Sequence, residues 1–112
     1  MISVIMANYN GAPYLAGAIR SVLDQTLSDL EIIFVDDGSS DDSVKIAEDI
    51  AREDGRLRVF SGKRMGGPAP VRNFALDQAS GDWIAIVDSD DLIRADRLEK
   101  MLAAAATRRT DL

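Results

Sequence analysis

Three aspartates lie close together directly after the apolar segment 83–87: Asp88, Asp90 and Asp91. Carboxylates at this spacing repel one another unless a cation offsets their charge. Hard divalent ions such as Mg²⁺ and Mn²⁺ prefer carboxylate oxygens and often share them with substrate phosphates. The spacing therefore predicts a site for a divalent cation, although an Asp-x-Asp pattern taken alone is common by chance.

A second acidic corner, Asp36-Asp37-Gly38-Ser39, follows another apolar segment. Its carboxylates could accept hydrogen bonds from a nucleobase N–H or from a ribose hydroxyl. The alternative is a tight turn that leads into a helix, with Ser39 or Ser40 as the capping residue. Asp41 and Asp42 would then lie near the positive end of that helix.

Tyr9 and a group of basic residues are further candidates for binding a nucleotide. Tyr9 could stack on a base, or it could be a half-buried aromatic at the edge of a sheet. Lys63, Arg64 and Arg72 surround a loop rich in glycine, where they could neutralise a diphosphate or simply be surface charge. The chain lacks both the Gly-Lys-Ser/Thr of a P-loop and a Gly-x-Gly-x-x-Gly after the first apolar segment, so a dinucleotide site is not supported.

The composition excludes several other kinds of chemistry. The chain has 112 residues, with no cysteine and no histidine. It therefore has no disulfide scaffold, Cys/His zinc site, thiol nucleophile or Ser-His-Asp triad. Any general acid or general base must therefore be a carboxylate of this chain or a group outside it. The net charge of −6 gives no basic footprint for nucleic acid, and the length fits one domain with a real core.

No part of the sequence predicts a membrane anchor or an export signal. The apolar runs are far too short to cross a bilayer. The first ten residues lack a basic region followed by a long apolar one. We therefore expect a cytoplasmic location.

Apolar segments and amphipathic segments alternate along the chain. Short apolar runs predict strands at residues 2–7, 31–35, 57–60 and 83–87. Between and after them, apolar residues recur at spacings of three and four, which predicts four helices. The expected buried stripes are Leu15, Ile19, Val22 and Leu23, then Val44, Ala47, Ile50 and Ala51, then Val71, Phe74, Ala75 and Ala79, and last Leu98, Met101, Leu102 and Ala105.

The resulting order, βαβαβαβα, is typical of an α/β fold with a parallel sheet covered by helices on both faces. In open sheets of this class, ligands bind outside the carboxyl ends of the strands. The clusters at 7–10, 36–39 and 88–91 all follow predicted strands, so they should meet at one edge of the sheet. That convergence predicts a functional site at this edge.

Three stretches of sequence, in this order, resemble a known family: SVIMANYNGAPYLAGAIRSVLDQT, EIIFVDDGSSDDS and RNFALDQASGDWIAIVDSDD. They are similar to the nucleotide-diphosphosugar glycosyltransferases of family 2, which have the Rossmann-like GT-A fold with strand order 3-2-1-4. The resemblance implies an inverting enzyme of the hexosyltransferase type. It would move a sugar from a nucleotide-diphosphosugar, most often a UDP-sugar, to a saccharide or lipid-linked acceptor, as in bacterial exopolysaccharide or cell-surface polysaccharide biosynthesis.

The resemblance also assigns roles to residues that would bind the nucleotide. Tyr9 would line the nucleobase pocket, and Asp37 would hydrogen-bond the base, with Asp36 beside it. Arg72 would contact the nucleotide as well. Ala7 stands at a nucleotide-binding position where family members often have Thr or Pro, a difference of at most one hydroxyl contact.

The DxD region of the family matches Asp88-Ser89-Asp90-Asp91. By this resemblance, Asp90 would face the ribose or the sugar. Asp91 would reach a Mg²⁺ or Mn²⁺ ion on the diphosphate. Which of Asp88, Asp90 and Asp91 is the direct metal ligand is left open.

Family members continue past this point with further strands, an acceptor-binding half and a carboxylate that serves as general base. Residues 1–112 are therefore expected to be the nucleotide-sugar-binding half, inactive alone, with its general base beyond Leu112.

The fourth strand would be an open apolar edge, which predicts a homodimer through the strand-four side. The full-length protein could associate with the membrane at its cytoplasmic face. A nucleotidyltransferase-like enzyme and a non-catalytic nucleotide-binding module are the alternatives.

Overall fold

In a computed structural model, strands and helices alternate along the chain as predicted. The structure describes residues 1–108, with side chains up to Ala105, so positions 109–112 of the expected domain lie outside the described residues. The strand ends differ from the sequence prediction by at most one residue. The elements are β1 (Ile2–Asn8), α1 (Ala12–Leu23), β2 (Leu30–Asp36), α2 (Ser43–Glu53), β3 (Leu57–Phe60), α3 (Pro68–Gln78), β4 (Trp83–Ile86) and α4 (Arg97–Arg108).

The strands form one sheet in the order β3-β2-β1-β4, and each neighbouring pair is parallel. This is the 3-2-1-4 order that the resemblance implies. β1 and β2 pair along their whole length, from Ile2 opposite Leu30 to Asn8 opposite Asp36. Because the strands run in the same direction, the turns that follow them meet at one edge, which we call the carboxyl edge.

Alternate positions of the strands bury side chains in two separate layers. Val4 and Met6 of β1 face the layer formed with α1, α2 and α4. Ile5 of β1 and Val35 of β2 face the opposite layer, which is formed with α3. Every position of β2 is buried, which explains why this strand is a nearly continuous apolar run in the sequence. Helices therefore lie on both faces, as predicted.

The start of α2 differs from the sequence prediction, and the expected serine cap is wrong. The helix begins at Ser43 with Asp42 at the N-cap position, so neither Ser39 nor Ser40 caps it. Instead, Asp41 accepts hydrogen bonds from the backbone N–H and the hydroxyl of Ser43. The physical reason is that the hydroxyl of Ser39 is already engaged at the end of β2.

At the opposite, amino edge of the sheet, the buried carboxylate of Glu31 joins three strands to the loop before β4. It accepts hydrogen bonds from the hydroxyl of Ser3 at 2.6 Å, the backbone N–H of Ser80 at 2.7 Å and the guanidinium of Arg58 at 3.3 Å. Burial by itself raises the pKa of this carboxyl, but the three hydrogen bonds and the charge of Arg58 outweigh it. The pKa of Glu31 is therefore lowered.

β4 is an edge strand of the described sheet. One of its faces is covered, since Ala85 lies in the same core layer as Leu98 of α4. On the other face Ile86 is half exposed. Among residues 1–108, no helix is both long enough and apolar enough to cross a membrane.

Candidate functional site

A cleft of about 320 Å³ opens at the carboxyl edge, beside the ends of β1 and β2 and the first turns of α3. It brings together most of the residues that the sequence predicted to bind a nucleotide. Asp36 and Asp90 are not among its lining residues. The cleft is lined by Ala7, Asn8, Tyr9, Asp37, Arg64, Gly67, Pro68, Val71, Arg72 and Asp88.

Asp37 connects the end of β2 to residues 61–67, which we call the glycine loop. Its buried carboxylate accepts hydrogen bonds from the backbone N–H groups of Met65 and Gly67. The Nε of Arg64 lies 3.8 Å from the same carboxylate. Each carboxylate oxygen can accept more than one hydrogen bond. Asp37 can therefore hold the glycine loop and still accept a hydrogen bond from a ligand.

Asp36 is buried next to the cleft, and its hydrogen bonds are all internal. Its carboxylate accepts hydrogen bonds from the side-chain amide of Asn8 at 2.9 Å and from the hydroxyl and backbone N–H of Ser39 at 2.6 and 2.8 Å. Only 1% of the residue is exposed. In this arrangement Asp36 fixes the junction of β1 and β2 and so positions Asp37, the next residue.

Asn8 lines the cleft, and the sequence analysis missed it as a site residue. Its Nδ2 donates to Asp36, while its buried Oδ1 has no hydrogen-bond partner in the described part of the chain. An unpaired buried oxygen is costly, which makes it a candidate acceptor for a ligand group or a bound water. A Cβ at Gly11 would lie 2.3 Å from this oxygen, so a larger residue there would displace the Asn8 side chain. The available signal was the position of Asn8 in the cluster at residues 7–10, which directly follows the first predicted strand.

Tyr9 is half exposed beside the cleft, and a cation covers its ring. The Cζ of Arg64 lies 3.8 Å from the ring centroid, which is a cation–π contact. Arg72 projects from the second turn of α3 and also lines the cleft, whereas Lys63 does not. Two arginines and two aspartates, Asp37 and Asp88, therefore supply both signs of charge along the cleft.

Asp88, Asp90 and Asp91, which we call the acidic cluster, follow β4 at the same edge. One carboxylate oxygen from each lies within 4.8 Å of the other two, and all three residues are exposed. Within residues 1–105, none of the three forms an ion pair with a basic side chain. Clustered carboxylate oxygens that water can reach fit a hard divalent cation such as Mg²⁺ or Mn²⁺. Because Asp88 also lines the cleft, a cation held here would border a ligand bound there.

The family profile described as Glycosyl transferase family 2 matches residues 3–112, a range that includes the cleft and both acidic corners. The chain belongs to glycosyl transferase family 2. This confirms the resemblance found in the sequence.

Curated family 2 relatives match nearly all of this chain but are much longer. An uncharacterized glycosyltransferase of Haemophilus influenzae is 44% identical over 102 residues, which cover 91% of this chain and 41% of the relative. TuaG of Bacillus subtilis, a putative teichuronic acid biosynthesis glycosyltransferase, is 39% identical over 91% of this chain and 40% of its own length. The chain thus spans about two fifths of the length of these relatives.

Solved structures confirm the GT-A fold. The crystal structure of S. aureus TarS 1-349 in complex with UDP-GlcNAc matches with a TM-score of 0.88 and 33% identity, over 96% of this chain and 32% of that one. The mannosyltransferase PcManGT from Pyrobaculum calidifontis, in complex with GDP-Man and Mn²⁺, matches with a TM-score of 0.84 and 26% identity, over 94% of this chain and 32% of that one.

Proposed function

We propose that residues 1–112 are the donor-binding half of an inverting glycosyltransferase that uses a nucleotide-diphosphosugar, most simply a UDP-sugar. The sugar, a hexosyl group, goes to a saccharide or lipid-linked acceptor in the synthesis of a bacterial cell-surface polysaccharide. The observation that carries this proposal is one cleft that combines the Asp37 carboxylate, the Tyr9 ring and an adjoining acidic cluster. The UDP-GlcNAc of TarS and the name of TuaG support the donor and the product class.

The end of the cleft nearest Tyr9 is suited to a nucleobase. The ring of Tyr9 offers an aromatic face for stacking. Asp37 offers an acceptor for a base N–H, and its burial strengthens such a hydrogen bond. Asn8 adds a second acceptor through its unpaired Oδ1. A base that presents N–H donors next to its stacking face fits these groups.

The acidic cluster and Arg72 are suited to the diphosphate. Asp91, with Asp90 and Asp88 beside it, would hold a divalent cation, and the Mn²⁺ of PcManGT supports this assignment. When bound, such an ion acts as a Lewis acid on the leaving diphosphate. Arg72 donates N–H groups to phosphate oxygens from α3. Together these groups stabilise the negative charge that develops as the bond from sugar to phosphate breaks.

Inversion requires the acceptor hydroxyl to attack the anomeric carbon from the face opposite the diphosphate and to lose its proton to a base. The acidic residues that line the cleft within the described residues are Asp37 and Asp88. Both are assigned to the nucleotide or the cation in this proposal. We therefore place the general base outside residues 1–112, in the part of the protein that the longer relatives contain.

Calorimetric titration of the chain with UDP, GDP and ADP, each with Mn²⁺ and with EDTA, tests this function. We expect UDP to bind most tightly and Mn²⁺ to strengthen the binding. Preference for GDP or ADP would change the nucleotide that is assigned to the donor. If no nucleotide binds, the proposal is wrong. If UDP binds equally well with Mn²⁺ and with EDTA, the proposed role of the divalent cation is wrong, and the rest of the proposal stands.

A further inference from the structure

Arg64 lies between the two groups of the cleft that are suited to a nucleobase. Its Cζ is 3.8 Å from the centroid of the Tyr9 ring, and its Nε is 3.8 Å from a carboxylate oxygen of Asp37. The guanidinium is planar and carries N–H donors along its edge. A nucleobase has the same two properties, a flat face and N–H donors. In this structure, therefore, the chain fills its own base position with an arginine side chain.

The backbone of the glycine loop is anchored independently of this side chain. Asp37 holds the loop through the backbone N–H groups of Met65 and Gly67. The backbone of Arg64 also packs closely on Gly38, where a Cβ would lie 3.1 Å from the Arg64 nitrogen. Gly38 has a φ of +73°, so a side chain is disfavoured there for two reasons. The loop can therefore stay in place while the guanidinium moves.

The contacts of the Arg64 side chain are weak by comparison. The side chain is 53% exposed, and its ion pair with Asp37 is long. Ion pairs with an exposed partner and cation–π contacts at exposed sites each contribute little. Such contacts can hold the guanidinium over Tyr9 when no ligand is present and can still be replaced by a stacked base.

We propose that Arg64 is an internal competitor of the nucleobase: it occupies the position between Tyr9 and Asp37 and leaves when the base of the donor binds. The inference rests on the proposed function and adds to it a residue that sets the affinity of the site. Only molecules with the guanidinium displaced are competent to bind, so the apparent affinity falls by the fraction of displaced molecules. Contacts of this kind reduce the affinity about three- to tenfold.

The test compares Arg64→Gln with Lys63→Gln in UDP titrations at fixed Mg²⁺. Lys63 is an exposed neighbour in the glycine loop that does not line the cleft, so its substitution removes the same charge without opening the base position. We expect Arg64→Gln to bind UDP about three- to tenfold more tightly than Lys63→Gln. Equal or weaker binding by Arg64→Gln would overturn the inference. Thermal unfolding of both variants checks that the fold is unchanged.

Nuclear magnetic resonance gives a second readout that does not depend on affinity. Stacking on Tyr9 shifts the side-chain signals of Arg64, and Tyr9→Leu gives the unshifted reference. We expect the shift in the free protein and its loss when UDP binds. A shift that persists in the UDP complex, or that is missing from the free protein, contradicts the inference while leaving the proposed function standing. If neither the wild-type chain nor the variants bind UDP, the proposed function fails and the inference fails with it.

Discussion

The carboxylates of the acidic cluster are exposed and close together, and none is paired with a basic side chain in the described part of the chain. Their mutual repulsion opposes the native arrangement as long as no cation is bound. The same geometry favours a divalent ion, because the ion replaces repulsion with attraction. The negative charges of the cluster should therefore lower the stability of the ion-free fold and raise the affinity for a divalent cation.

We expect Asp91→Asn to abolish the strengthening of UDP binding by Mn²⁺ and to leave the fold intact. The neutral amide keeps the shape of the side chain and relieves repulsion, but it is a poor ligand for a hard cation. Loss of one charged ligand should weaken UDP binding in Mn²⁺ about tenfold or more. Calorimetry with Mn²⁺ and with EDTA measures this change.

Asp82→Asn is the matched control, since Asp82 is exposed at the amino edge, beside the N-terminal ammonium group. It should leave both UDP affinities unchanged. An Asp91→Asn variant that keeps the full Mn²⁺ effect would show that the cluster does not hold the ion through this residue.

Among the elements, the strands depend on polar contacts at the amino edge as well as on their apolar core. Glu31 of β2 receives hydrogen bonds from Ser3 of β1, from Arg58 of β3 and from the loop before β4. Gly81 lies in the same corner, where a Cβ would come within 2.7 Å of the carbonyl oxygen of Met1. This edge fixes how β4 joins the sheet, and β4 carries the acidic cluster at its other end.

Glu31→Gln should lower the free energy of unfolding by about 1–3 kcal/mol at neutral pH, because charge-assisted hydrogen bonds are lost in a buried position. The lowered pKa of Glu31 means that its stabilisation is complete above the unfolded-state pKa of about 4.3 and is lost as the pH falls through the native-state value. The difference between wild type and variant should therefore shrink below about pH 4. Urea unfolding at several pH values measures it.

The control for this change is Glu48→Gln, on the exposed surface of α2. It should alter the free energy of unfolding by no more than about 0.5 kcal/mol. A Glu31 variant as stable as this control at neutral pH would contradict the role given to the buried carboxylate.

Gly81→Ala tests the close packing of Gly81 against Met1 and Ser3 at the amino edge. The added Cβ would meet backbone atoms of Met1 and Ser3, which cannot move as a side chain can. We expect a loss of about 1–3 kcal/mol in thermal or urea unfolding. Gly55→Ala is the control, because no atom lies within 4 Å of a Cβ there. If the two variants are equally stable, the backbone around Gly81 can shift to accept a Cβ without loss of stability.

On the scale of the whole molecule, β4 is an edge of the described sheet, and Ile86 on it is 51% exposed. Apolar edge strands promote pairing with other chains. The face of β4 that carries Ala85 is buried in the core layer, whereas Ile86 on the other face is exposed. We propose that two copies of this chain associate through the β4 side.

Light scattering at high protein concentration should therefore detect a dimer. Ile86→Lys should shift the chain toward monomer, because it places a charge in the contact. Tyr14→Lys, at another exposed apolar residue on α1, should not. A wild-type chain that stays monomeric would refute the contact.

The last prediction concerns whether the 112-residue chain can transfer a sugar by itself. We expect the 112-residue chain to bind a UDP-sugar without transferring the sugar to any acceptor, because its general base is proposed to lie elsewhere. Slow hydrolysis of the donor remains compatible with this, since water needs no acceptor site. Product analysis after prolonged incubation with donor, Mn²⁺ and saccharide acceptors measures it. Sustained formation of a glycoside would mean that the base lies within these residues.

By itself the sequence determined the alternation of strands and helices and the clustering of acidic turns at the carboxyl edge. Both follow from local patterns, namely apolar runs, helical spacing and the residues that follow each strand. Its motifs also identified the family, and with it the 3-2-1-4 strand order.

Only the tertiary structure decided what each of these side chains touches. Asp36 turns inward to Asn8, whereas Asp37 turns to the glycine loop, and the two lie side by side in the sequence. Arg64 covers Tyr9, although the two residues are far apart in the sequence. Such contacts depend on how parallel strands bring distant turns together and on which way each side chain then points. Neither is encoded in local periodicity, which is why the sequence indicated Arg64 only as a possible diphosphate contact or surface charge, and did not single out Asn8.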